Sequence, residues 1–177
     1  MFVKACFKVE GASIKVVIEM PLEGVSAQPL TNLSPHAARV HFELPGEGKA
    51  MVFDGKFEEG VISGEVEQAG ARGVFQLARE VKADARIFDE YVGAYQLEPD
   101  RVILIARTEA GLAYQDAELG NVGLLRPLSE TSFFAGRSLL TDFPVDVKIT
   151  FVKNENSAVT GLIYHPRGLP AKTAARV

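Results

Sequence analysis

Val3-Lys-Ala-Cys-Phe-Lys-Val9, then Glu10-Gly11, then Ile14-Lys-Val-Val-Ile-Glu-Met20: the reading of this opening stretch decides the fold class. Val3, Ala5, Phe7 and Val9 fall on one side of an extended chain, with Lys4, Cys6, Lys8 and Glu10 on the other. After Glu10-Gly11 the alternation resumes, and Ile14, Val16, Ile18 and Met20 oppose Lys15, Val17 and Glu19. A side-chain period of two belongs to strands that bury one face and wet the other.

The same period recurs at Val40, Phe42 and Leu44, and again at Met51, Phe53, Gly55 and Phe57. Short strands are predicted over 61–67 and 74–79. Pro45-Gly46, Glu59-Gly60, and Ala69-Gly70 with Gly73 separate the apolar runs, as turns in an antiparallel meander do. The interval from Pro21 to Ala38 carries Pro21, Pro29 and Pro35 and almost no alternation, which predicts a long crossover or a lid. Residues 81–88 read as a short helix or a linker.

A second strand series follows. Tyr91, Gly93, Tyr95 and Leu97 are predicted on one strand face, and Pro99-Asp100 turns the chain into 101–107. There Val102, Leu104 and Ala106 oppose Arg101, Ile103, Ile105 and Arg107. Further strands are predicted over 112–117, 123–126, 131–135, 145–151, 158–164 and 173–177. About thirteen short strands with hardly any helix predict an all-β chain of antiparallel barrel-like or lipocalin-like sheets. Two successive small modules, residues 1–84 and 85–177, describe it most economically; one larger continuous sheet is the alternative.

Composition narrows the function classes. The 177 residues carry 19 Lys+Arg against 23 Asp+Glu, a net charge of −4, and 47% are hydrophobic. The part before Arg86 has 9 basic and 12 acidic residues and the rest has 10 and 11, so the halves net −3 and −1. Neither half supplies the basic patch that nucleic-acid binding needs. The single cysteine permits no internal disulfide, and Cys6 reads as core filler. No run reaches the length of a membrane span. Met1 to Lys8 lacks the layout of a secretory leader, so a cytoplasmic location is expected for the chain as given.

Catalytic signatures are missing. The sequence has no G-x-S-x-G, S-x-x-K, H-E-x-x-H, C-x-x-C, G-x-G-x-x-G or Walker A pattern. No cofactor or metal is expected. His36, His41 and His165 read as solvated or hydrogen-bonded structural residues, although His41 with Glu43 is the pair a metal site would need. Asp54, Glu58 and Glu59 cluster at a hairpin end, where carboxylates are usually solvated.

The candidate ligand-binding residues are aromatic and basic. Tyr91, Tyr95, Tyr114 and Phe133, beside Phe134, suit the lining of a barrel cavity for a small apolar ligand. Arg101 and Arg107, on the other face of their strand, suit a carboxylate or phosphate. The plainer reading is an aromatic core with locally bonded hydroxyls and an outward arginine face.

A family resemblance attaches to these residues. Phe53-Asp-Gly55, Ile62-Ser-Gly64-Glu-Val-Glu-Gln68, Gly70 and Gly73-Val-Phe75-Gln-Leu77-Ala-Arg79 resemble a β-rich segment upstream of some bacterial serine and α/β-hydrolase domains. Tyr91-Val-Gly93-Ala-Tyr95, Gly111-Leu-Ala-Tyr114, Leu125-Arg-Pro127-Leu-Ser129, Thr131, Phe133, Ile149-Thr-Phe151 and Val159-Thr-Gly161-Leu162 with Ala175-Arg176 are similar to lipocalin-like modules of β-lactamase-related hydrolases. The resemblance implies a non-catalytic accessory or small-ligand-binding module with a hydrolase domain or a second copy as partner. No catalytic residue is carried over, because those of such families lie in their hydrolase domains. A free-standing carrier of a small apolar ligand, or a small barrel enzyme (isomerase, cyclase or hydrolase), is the alternative.

Overall fold

The alternating opening stretch forms β1 (Lys4–Glu10) and β2 (Ser13–Met20), paired antiparallel with Phe7 opposite Val16 and Val9 opposite Ile14. A third strand, β3 (Val25–Pro29), completes a three-stranded sheet in the order β1-β2-β3. The computed structural model describes residues 4–177 except 12, 21–24, 37, 47, 59, 136–146 and 167. Val3, Pro21, Glu59 and Val145, used in the strand and turn expectations, lie outside the described residues. The chain divides into two compact units, one through Arg79 and the other from Glu80. This division and the expected one after residue 84 both fall in the segment following the eighth strand.

The first unit adds a five-stranded antiparallel sheet: β4 (Thr31–His36), β5 (Arg39–Leu44), β6 (Met51–Glu58), β7 (Val61–Gln68) and β8 (Ala71–Ala78), in sequence order. Its core is small. Ile18, Phe42, Leu44 and Phe53 are buried together, with Phe42 stacked on Phe53 at 4.7 Å between ring centroids. Phe75 meets both rings edge-on, at 5.8 and 5.2 Å. The turn between β7 and β8 holds Ala69 and Gly70 at positive φ, 53° and 88°, the paired sign of the hairpin turn that matches strand twist. Gly73, expected in that turn, lies inside β8.

The interval from Pro21 to Ala38 is not an irregular crossover, since β3 and β4 occupy much of it. Both are edge strands of their sheets, where a proline costs no ladder hydrogen bond. Pro29 and Pro35 sit there. Register shifts between Ile18 and Met20 and between Thr31 and Ser34, with positive φ at Ala27 and Asn32, break the alternation that would have announced them.

The second unit opens with a 3-10 turn, Ala85–Ile87, and one helical turn, α1 (Phe88–Tyr91). Asp84 caps the entrance by accepting the Arg86 N–H at 2.9 Å. Eight strands then close an antiparallel barrel: β9 (Gly93–Glu98), β10 (Arg101–Thr108), β11 (Gly111–Asp116), β12 (Asn121–Pro127), β13 (Ser132–Ala135), β14 (Val147–Lys153), β15 (Val159–Pro166) and β16 (Lys172–Arg176). Each pairs with the next, and β16 returns to β9 through Ala175 opposite Gln96. Closure removes the open edges that a sheet must otherwise protect.

Three expectations are corrected. Cys6 is not core filler, because it is exposed on β1. Tyr91 is not on a strand face with Gly93 and Tyr95, because it ends α1. Arg101 and Arg107 do not form an outward face: they share theirs with Ile103 and Ile105, which are buried. The outward face of β10 carries Leu104 and Ala106 instead.

Candidate functional site

The inward face of the barrel runs between two chemically different ends. One end joins β9 to β10 and β11 to β12. The other lies beside α1, the turn from β10 to β11 and the turn from β14 to β15.

Near α1 the interior is filled with rings. Tyr91 stacks on Phe151 at 4.2 Å, and Phe133 meets Tyr91 and Phe151 edge-on, each at 5.6 Å. Phe88 and Tyr95 extend the cluster at 5.9 and 5.8 Å. Such offset and edge-on contacts are the favoured aromatic geometries. Tyr91 Oη donates to the Glu130 carbonyl at 2.8 Å, and Tyr95 Oη donates to the Tyr91 carbonyl at 2.7 Å. Burial pushes the Tyr95 hydroxyl up to about 12 and raises that of Tyr91. The structure therefore brings together Tyr91, Tyr95 and Phe133 as parts of a packed cluster whose two hydroxyls are already bonded.

Tyr114 belongs to the opposite end. Its ring is buried, and its hydroxyl has no hydrogen-bond partner. Burial pushes that hydroxyl above the ordinary tyrosine range, with the Tyr164 and Asp116 oxygens adding to the shift. Asp116, two residues on, is the buried charge among the described residues. Its carboxylate accepts Arg101 Nη2 at 2.6 Å and Nε at 3.2 Å, and the Leu119 N–H at 3.4 Å. Glu118 adds a second carboxylate 3.4 Å from Arg101 Nε. The guanidinium carbon lies 5.5 Å from the Tyr164 ring centre. The hydrogen-bonded Asp116 holds the Arg101 pKa above its ordinary value. Two carboxylates around one guanidinium leave this cluster net negative, which disfavours an anionic ligand.

Arg107 stands at the α1 end, six residues along β10 from Arg101 and about 20 Å away at the usual strand rise. Its guanidinium lies 4.9 Å above the Phe88 ring, with Asp89 at 3.8 Å. No small carboxylate or phosphate spans that separation, so the two arginines do not form one site. Arg176 binds this end together more tightly, donating to the carbonyls of Val92 at 2.6 Å and Glu90 at 3.1 Å.

Phe88, Asp116, Phe151, Tyr164 and Arg176 were not among the sequence candidates. For Asp116 the signal was available: it shares the parity of Leu112 and Tyr114, so it had to point inward and find a cation.

In the first unit, His41 Nδ1 lies 2.7 Å from Asp54 Oδ1, its cross-strand partner, and Nε2 lies 3.7 Å from Glu43. The Asp54 hydrogen bond raises the imidazole pKa above 6.5. Among the described residues no three His, Cys, Asp or Glu side chains are grouped to hold a metal ion. No protein-family model matches the chain, and no curated protein matches it.

Proposed function

We propose that this chain is a non-catalytic accessory β module, of the kind associated with hydrolases, that acts through its surfaces and not through a ligand held in its barrel. The observation that carries this reading is the cluster of Tyr91, Tyr95, Phe133 and Phe151. Their rings pack on one another, and both hydroxyls in the cluster are spent on backbone carbonyls. An eight-stranded barrel is just wide enough for side chains to fill it, and this packing serves that purpose. The hydrolase association is supported by the residue pattern alone, through Tyr91-Val-Gly93-Ala-Tyr95 and the glycine-punctuated strands before it.

The experiment is a titration of the chain with a fluorescent polyene fatty acid, followed in the near-ultraviolet dichroism of its tyrosines. All four tyrosines lie in the barrel unit, so their signal reports its interior. The expected result is no saturable binding and no spectral change, with no turnover of a chromogenic short-chain ester. One-to-one uptake that changes the tyrosine bands would replace this reading with that of a carrier.

A second reading draws on one observation, the unpartnered Tyr114 hydroxyl, which would donate to a neutral acceptor on a small ligand. Thermal shifts with small amides, present for the native chain and absent for Tyr114→Phe, would favour it.

A further inference from the structure

Along the hairpin of β1 and β2 the apolar face loses its cover. Ile18 and Val16 are buried at 1% and 3% exposure, whereas Ile14 reaches 40%, Phe7 49% and Val9 71%. All five share one side, since Ala5 faces Ile18, Phe7 faces Val16 and Val9 faces Ile14. β1 is also the end of its sheet, with β2 as its neighbour. An exposed edge with an apolar face is a template for another strand.

We propose that the occupant is a second copy of this chain, with β1 pairing antiparallel to β1 about a two-fold axis at Phe7. The pairing joins two three-stranded sheets into one and places both apolar faces on the same side. Keeping the faces together requires residues of like parity to oppose one another. Three such registers overlap by five or more residues, centred on Cys6, Phe7 or Lys8. Centred on Cys6, Lys4 meets Lys8 of the second copy. Centred on Lys8, that lysine meets itself. Centred on Phe7, all seven residues pair: Lys4 with Glu10, Ala5 with Val9, Cys6 with Lys8, and Phe7 with Phe7.

Opposed like charges destabilise a strand pair, and opposed opposite charges or aromatics support it. Lysines commonly protect an edge from pairing, yet in the Phe7 register no lysine directly faces another. Within each copy Glu10 already lies 2.6 Å from Lys15 and 3.0 Å from Lys8, and Lys4 lies 3.5 Å from Glu19. The incoming lysine joins that surface network. The pairing does not depend on what the barrel holds.

The test uses the full chain in sedimentation velocity and on non-reducing gels. Concentration-dependent dimer is expected for the native chain. Phe7→Lys puts two ammonium groups across the axis and is expected to weaken association about tenfold or more, with unchanged far-ultraviolet dichroism because Phe7 is half exposed. The register is read separately. Cys6→Ser/Phe7→Cys sets two cysteines directly opposite at roughly 4.5–5.5 Å between Cα atoms, within disulfide reach. In the native chain the two Cys6 residues sit diagonally, roughly 7–8 Å apart, outside it. Interchain disulfide in the Phe7→Cys variant and none in the native chain is the expected result. A native chain that stays monomeric at every concentration, or one that links through Cys6 while the Phe7→Cys variant does not, would overturn the proposal.

Discussion

Arg101 and Asp116 pair at one end of the barrel, Nη2 to Oδ2 at 2.6 Å, with the Asp116 side chain wholly buried and the Arg101 side chain 12% exposed. Register explains their meeting: Ile103 pairs with Asp116, and Arg101 is two residues back on the same inward face of β10. Breaking a buried pair from one side strands the other charge. Arg101→Met, which leaves the buried Asp116 carboxylate without its cation, is therefore expected to lower the unfolding free energy by about 3 kcal/mol, measured by urea denaturation. The double change Arg101→Met/Asp116→Leu is expected to cost clearly less. A single variant as stable as the native chain would show that the pair does not hold this end.

Two hydroxyls in the same barrel should respond in opposite directions. Tyr95 Oη donates to a backbone carbonyl, so Tyr95→Phe is expected to lose about 1 kcal/mol. Tyr114 Oη is buried without a partner, so Tyr114→Phe is expected to gain about 1 kcal/mol by removing an unsatisfied group. Equilibrium unfolding of the two variants side by side checks the sign of each.

Much of the strand order was legible because most strands bury one face. Ile103 and Ile105 in β10, or Phe42 and Leu44 in β5, carry the alternation openly. β3 and β4 lie at sheet edges with mostly exposed side chains, so nothing in their composition alternates. Tyr91 misled for another reason. It shares strand parity with Tyr95, but its i, i+3 spacing from Phe88 sets both rings on one side of a helical turn. For the two arginines the signal is burial together with parity. Arg101 and Arg107 flank two buried isoleucines and hence mark the two ends of the barrel interior.

At Gly64 the backbones of β6 and β7 approach too closely for a side chain. A Cβ there would lie 1.9 Å from the Asp54 carbonyl oxygen and 2.6 Å from the Gly55 Cα. Gly64→Ala is expected to cost about 3 kcal/mol, at the upper end for overpacked sites. Gly73→Ala in the adjacent β8 is the control, since its Cβ would meet only Val66 Cγ1 at 3.4 Å. Comparable unfolding midpoints for the two variants would contradict the close approach.

The His41 pair gives the first unit a pH dependence with a definite sign. The folded imidazole titrates above its ordinary 6.5 because Asp54, and then Glu43, bond its charged form. A base with a raised folded pKa adds stability that is fully present below the unfolded value and is lost as pH rises through the folded one. The stability difference between the native chain and His41→Gln should thus be larger at about pH 5.5 than at about pH 8.5. Denaturant titrations at the two pH values check it, and a difference that grows with pH would refute the pairing.

The most direct measurement is the unfolding free energy of Phe133→Ala. Phe133 is wholly buried between Phe88, Tyr91 and Phe151. A ring packed in a filled barrel should cost about 3–5 kcal/mol on removal. A loss below about 1 kcal/mol would mean that the ring lines space kept for a ligand, and would contradict the filled barrel.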